Sequence, residues 1–92
     1  MERKYTLVLI TDLYGNMKTR TEDTARIGRV FSIDDSGIII NSSYLMKCIK
    51  PGFLKSVVTS RVKDVIKAED GIIIITENSK YYLVYEEMVL MT

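Results

Sequence analysis

The segment that decides the fold runs from Gly71 to Tyr85 and reads GIIIITENSKYYLVY. Two runs of β-branched and aromatic residues flank an Asn-Ser pair, and this pattern predicts a β-hairpin. A two-residue turn at Asn78-Ser79 would place Glu77 opposite Lys80 across the two strands. Both faces of the hairpin carry apolar side chains. It therefore needs cover on both sides, as in a barrel wall, a sandwich or a subunit interface.

The composition of the whole chain agrees with a strand-rich fold. Ile, Val and Thr supply 28 of the 92 residues, whereas Ala supplies 2. β-branched side chains favour strands because they lose rotamer freedom in a helix. Turn residues separate expected strands at 4–13, 25–33, 37–41, 62–68, 71–77 and 80–85. Residues 42–50 fit a two-turn helix and a strand equally well.

A chain of this length has room for one core, so we predict a single domain over residues 1–92. The predicted class is all-β or mostly β, a small barrel or sandwich with at most one short helix. The chain also matches itself: residues 24–45 and 59–83 share a T-x-R start, an Ile run after an acidic turn, and Asn-Ser-x-Tyr. Two related β-meanders would explain this match. The alternative is that hairpins converge on the same turn residues.

The second copy of this pattern contains Thr59-Ser60-x-Val62 and, further on, Thr76-x-Asn78-Ser79-x-Tyr81-x-Leu83. These residues resemble a segment found in small β-rich proteins of phages and prophages. The resemblance implies an accessory protein of a phage or mobile element. It supplies no catalytic or binding residues, since that group has no established activity.

Catalytic chemistry lacks its usual residues in this chain. There is no His, and Cys48 is the single cysteine, which excludes imidazole metal sites, His-dependent nucleophiles and Cys-pair motifs. No glycine-rich phosphate loop is present, and carboxylates pair only with their sequence neighbours, which point to opposite faces of a strand. We expect no catalytic residue, no metal site and no cofactor, and hence a protein that is not an enzyme.

The repeated pattern places the same polar residue types twice. The first set is Arg26, Asn41 and Tyr44, and the second set is Arg61, Asn78 and Tyr81. Arginine offers a planar fork for phosphate and tyrosine offers a stacking face, so the sets suit twin nucleotide sites. A protein with such sites would sequester nucleotides. The simpler interpretation is that these residues form turns and pack.

A nucleic-acid-binding β module is a further alternative. Tyr81 and Tyr85 lie one or two predicted strands away from Lys63 and Lys67, and interleaved cations and aromatic rings hold single-stranded nucleic acid in many proteins. The net charge of +1 argues against it, because such binding requires neutralisation of phosphates.

The partner that we expect is a host protein, which this chain would occlude or sequester as an antagonist of host defence. Nucleic acid and nucleotide are the alternatives. The free cysteine and the short apolar run at residues 7–10 predict a cytoplasmic protein, in the host cytoplasm if it is phage-encoded, with no membrane partner. Apolar residues at 72–75 and 88–91 predict a homo-oligomer.

Overall fold

Seven strands and two short helices make up the protein in a computed structural model that describes residues 2–52 and 56–90. The strands are β1 (Glu2–Thr11), β2 (Val30–Asp34), β3 (Leu45–Lys50), β4 (Val57–Val58), β5 (Val62–Lys67), β6 (Gly71–Thr76) and β7 (Lys80–Tyr85). The helices are α1 (Thr21–Thr24) and α2 (Glu86–Leu90). The prediction of a mostly β fold is confirmed. The described residues hold two short helices, one more than expected.

All the strands lie in one antiparallel sheet in the order β4-β3-β2-β1-β7-β6-β5. Two meanders, β1 to β4 and β5 to β7, are joined by the pairing of β1 with β7. The pairing of β3 with β4 continues at Thr59, whose amide donates to the carbonyl of Tyr44 (2.9 Å). Val62, the first residue of β5, then bonds to the segment before β3: its amide donates to the carbonyl of Ser42 (3.0 Å) and its carbonyl accepts from the amide of Asn41 (2.7 Å). The two edges of the sheet meet there, which closes a small barrel.

The barrel interior is filled by apolar side chains from every strand. On each strand they occupy alternate positions, as the period of two requires. The buried set is Tyr5, Leu7, Ile10, Phe31, Ile33, Met46, Cys48, Val57, Val62, Ile72, Ile74, Tyr81 and Leu83. A bulge in β1 between Leu7 and Leu9 restores the inward direction at Ile10, because it inserts one extra residue.

The hairpin of β6 and β7 forms with a register that differs by two residues from the prediction. Ile75 pairs with Lys80, so Glu77 lies in the turn and does not face Lys80. The cause is the buried hydroxyl of Thr76, which accepts hydrogen bonds from the amides of Ser79 (3.1 Å) and Asn78 (3.4 Å). The amide of Thr76 also donates to the carbonyl of Ser79 (2.8 Å), so the turn is centred on Glu77 and Asn78 and not on Asn78 and Ser79. A shift of two leaves each side chain on its predicted face.

The segment after β2 also differs from prediction. The strand expected at 37–41 is wrong: a 3-10 turn at Asp35–Gly37 leads into irregular chain. The carboxylate of Asp34 caps that turn by accepting from the amide (3.1 Å) and the hydroxyl (2.6 Å) of Ser36. Ile39 and Ile40 are consequently exposed, although Ile74, which matches Ile40 in the repeat, is a core residue. The repeated sequence pattern therefore adopts two conformations.

Two further boundaries follow from backbone geometry. Residues 45–50 form β3, which decides between the strand and the helix left open for 42–50. The strand expected at 25–33 begins at Val30, since residues 25–28 form turns that end at Gly28 with a φ of +89°.

Among the described residues, no helix is long and apolar enough to cross a membrane.

Candidate functional site

The first predicted polar set is divided between three places. Arg26 lies in the turn after α1, half-buried. The hydroxyl of Tyr44 accepts a hydrogen bond from the amide of Asp34 (3.0 Å), which ties the chain before β3 to the end of β2. Asn41 has a φ of +69°, and its side-chain oxygen accepts from Lys63 Nζ (3.1 Å). Tyr44 and Asn41 thus have structural partners.

The second set is arranged differently. Arg61 is exposed, with its Nε 3.6 Å from a carboxylate oxygen of Glu77. Asn78 lies in the β6–β7 turn, where its amide donates to Thr76. Tyr81 is only 6% exposed and packs in the barrel core, so its ring offers no stacking face. The two sets therefore occupy unlike environments. Asn41 of the first set contacts Lys63, which belongs to the nucleic-acid alternative.

The remaining residues of the nucleic-acid alternative are engaged at one end of the barrel. Lys67 Nζ lies 2.9 Å from Asp35 Oδ2, and the ion pair raises the pKa of Lys67. The guanidinium of Arg3 lies 3.7 Å from the centroid of the Tyr85 ring. The Tyr85 ring also contacts the ring of Tyr5. Burial and the neighbouring Tyr85 raise the pKa of Tyr5 to about 12. Lys67 and Tyr85 therefore each have an interaction partner within the protein.

A different feature stands out on the surface: the turn that follows β1, residues 12–17, here called the Tyr14 turn. The carboxylate of Asp12 accepts hydrogen bonds from the amides of Tyr14 (2.9 Å) and Asn16 (3.0 Å) and from the side chain of Asn16 (3.3 Å). The amide of Asp12 donates to the carbonyl of Asn16 (2.8 Å), and Gly15 supplies the positive φ of +89°. The backbone of this turn is therefore held at several points.

The hydrogen bonds of this turn also perturb Asp12. Donation from the amide of Asn16, above all, and from Tyr14 and the Asn16 side chain lowers the pKa of Asp12 below its ordinary value, with nearby Lys18 adding to the effect. Asp12 is consequently ionised, and fully able to accept these bonds, throughout the neutral range.

The Tyr14 turn displays apolar side chains to solvent. Tyr14 is 92% exposed and Met17 is 65% exposed, while Leu13 is also exposed. Exposed turns are normally polar, since water solvates their backbone and side chains. An aromatic ring with almost no contact to its own protein, on a backbone fixed by its own hydrogen bonds, is suited to binding a concave apolar surface.

In the sequence, residues 14–16 (Tyr-Gly-Asn) are recognisable only as turn residues after the strand expected at 4–13. A signal was present, however, because Leu13, Tyr14 and Met17 are large apolar residues within and beside a segment punctuated by Asp, Gly and Asn. Apolar residues at turn positions gain nothing from the fold, so they are candidates for contacts with a partner.

Among residues 2–52 and 56–90, no group of three or more His, Cys, Asp and Glu residues is placed to hold a metal ion. Cys48 is a free, buried thiol. Comparison with known proteins adds no assignment: no family model, no curated protein and no solved structure matches this chain.

Proposed function

We propose that this chain is a non-catalytic binding protein that docks onto another protein through the Tyr14 turn. The observation that carries the proposal is the 92% exposure of Tyr14 on a turn braced by Asp12. In the setting of a phage or mobile element, the partner is a host protein, and docking occludes a surface of it that host defence uses.

The physical basis is the low cost of ordering this turn on binding. Association loses the freedom of every group that becomes fixed, so a segment already held in one conformation retains more of its contact energy. Tyrosine adds a large contact area with few rotatable bonds. The turn protrudes from the end of β1, and we infer that its counterpart is a concave pocket with an apolar floor and a polar rim, which accepts the Tyr14 ring.

The non-catalytic part of the proposal is supported by the residue content of the chain. It contains no His, and its one thiol is buried. General acids, bases and nucleophiles act from accessible positions, usually in pairs, and this chain offers neither a His nor an accessible Cys for such a pair.

The test is affinity capture from a bacterial lysate, carried out in parallel with the wild type and two variants. The double substitution Tyr14→Ala and Met17→Ala removes the anchor, and Val58→Ala is the control, because Val58 on β4 has an exposure of 67%, similar to that of Met17. We expect one protein to be captured by the wild type and the control and lost by the turn variant. With purified components, the loss of affinity should be about thirtyfold or more, the size typical of a central anchor residue. A partner bound equally by all three proteins contradicts the role of the turn.

The nucleic-acid alternative retains one supporting observation. Arg61 and Lys63 are exposed cations on one stretch of chain, with Asn41 bound to Lys63. If this is the binding surface, fluorescently labelled single-stranded DNA or a cyclic dinucleotide should bind the wild type and be lost by Arg61→Ala with Lys63→Ala. Under the protein-docking proposal, neither probe binds and that double variant keeps the captured protein.

A further inference from the structure

The outer surface of β5, β6 and β7 carries two rows of side chains that run across the three strands. Backbone pairing defines them: Ile66 pairs with Ile73 and Ile73 with Tyr82, while Asp64 pairs with Ile75 and Ile75 with Lys80. The alternate residues of β6 and β7 fill the core, so these six point away from it. We call this set the outer face; its members are Asp64, Ile66, Ile73, Ile75, Lys80 and Tyr82.

The outer face is apolar at its centre and charged along one row. Ile66 is exposed, and Ile73, Ile75 and Tyr82 are only half-buried. The charged row reads Asp64, Ile75, Lys80, with opposite charges on either side of the central strand. In the described part of the chain, neither Asp64 nor Lys80 forms an ion pair with another side chain.

We propose that this face binds a second copy of the chain about a two-fold axis that runs parallel to β6. Such an axis exchanges β5 with β7 and places β6 over itself. Ile73 and Ile75 then face their own copies, and Ile66 faces Tyr82 of the second copy. Asp64 faces Lys80 of the second copy, and this ion pair occurs twice in the dimer.

Charge complementarity favours a second copy of the chain as the partner, and it favours the two-fold axis parallel to β6. The face presents an acid and a base at equal distances from its centre, so it is complementary to itself. A two-fold axis perpendicular to the strands would instead place Asp64 over Ile66 and Lys80 over Tyr82. Each charge would then lose water without gaining a partner, which is unfavourable. The parallel axis leaves both charges paired at the rim of an apolar contact.

The proposal does not depend on the Tyr14 turn, since the two features are separate and use different residues. A dimer of this kind would present two such turns, which adds avidity for a partner that is itself oligomeric.

The experiment is a charge-reversal series measured by sedimentation equilibrium across a range of protein concentrations. Asp64→Lys alone, or Lys80→Asp alone, places like charges opposite each other twice in each dimer. We expect each single variant to raise the dimer dissociation constant by about tenfold or more. The double variant, Asp64→Lys with Lys80→Asp, restores both pairs with reversed polarity and should recover dimerisation.

The decisive experiment is to mix the two single variants and measure whether they form a heterodimer. A heterodimer of Asp64→Lys with Lys80→Asp has opposite charges at both contacts, so a mixture should dimerise at concentrations where each variant alone stays monomeric. Misfolding cannot produce that recovery. A wild type that keeps the monomer mass of 10.6 kDa at all concentrations overturns the proposal. A mixture no more dimeric than its components overturns it as well.

Discussion

Lys67 at the end of β5 and Asp35 in the 3-10 turn after β2 form a 2.9 Å ion pair between the two meanders. Lys67 is largely exposed, whereas the Asp35 side chain is partly buried, and the hydrogen bond from Lys67 lowers the pKa of Asp35. A carboxylate with a lowered pKa stabilises the fold above its ordinary value of 3.8, and that stabilisation is lost as the pH falls through the lower folded value.

The first prediction follows from this pair. Thermal unfolding of the wild type should become progressively easier below pH 4, whereas Asp35→Asn should begin less stable at pH 7 and show a smaller decline. Circular dichroism melts from pH 2 to pH 7 measure the difference. Asp12 also has a lowered pKa, so the variant keeps part of the decline. If the melting temperatures of the two proteins fall in parallel with pH, Asp35 is not a source of the acid sensitivity.

A second prediction separates the core face of β6 from its outer face. Ile74 is fully buried, so Ile74→Lys should cost about 4 kcal/mol or more of unfolding free energy, because an unpaired charge enters the core. Ile73→Lys lies one residue away on the outer face and should leave a folded protein that no longer self-associates. Urea denaturation and sedimentation distinguish the two variants. Equal destabilisation by both would mean that the faces are assigned wrongly.

A third prediction concerns the hydroxyl of Thr76, which fixes the hairpin register. It accepts hydrogen bonds from the Ser60 hydroxyl (2.8 Å) and the amide of Ser79 (3.1 Å) while it is buried. Thr76→Val keeps the shape and leaves those donors unsatisfied, so we expect a loss of about 1–3 kcal/mol in urea denaturation. Thr76→Ser is the control, since it keeps the hydroxyl, and it should retain more stability than the Val variant.

A fourth prediction rests on the close approach of β6 to β7 at Gly71. A Cβ atom at this position would lie 1.9 Å from the carbonyl oxygen of Leu83, so Gly71→Ala must push the strands apart. We expect a loss of about 1–3 kcal/mol or more, seen as a lower Tm. Gly37→Ala is the matched control, because its nearest neighbour, the Asp34 Cβ, is 3.8 Å away. Equal melting temperatures for the two variants would show that the strand pair accommodates the methyl group.

The fifth prediction tests the rigidity of the Tyr14 turn in the free protein, so it needs no binding partner. Asp12→Ala removes the acceptor for the amides of Tyr14 and Asn16, so these amides should show larger nanosecond motion by ¹⁵N relaxation. The melting temperature at pH 7 should fall slightly, because the carboxylate with the lowered pKa is removed. Glu69→Ala, in the exposed β5–β6 turn, is the control and should change neither property. Unchanged relaxation at Tyr14 in the Asp12 variant would remove the structural basis of the docking proposal.

Local chemistry determined a good part of the fold. The Ile, Val and Thr content predicted a β protein, and the two-residue period sorted Ile72, Ile74, Tyr81 and Leu83 onto one face and Ile73 and Ile75 onto the other. These properties depend on neighbouring residues along one strand, so they can be read from the chain. The start of β6 at Gly71 and both ends of β7 agree with the strands expected at 71–77 and 80–85.

The tertiary structure decided what depends on residues far apart in the chain. Ile38–Ile40 and Ile72–Ile75 have the same local pattern, yet only the second run has strands on both sides to pair with, so only it becomes a strand. The interior position of Tyr81 came from barrel closure, and the hairpin register came from the buried hydroxyl of Thr76. The exposure of Tyr14 has the same origin, since a side chain is left in water only when no other element of the fold reaches it.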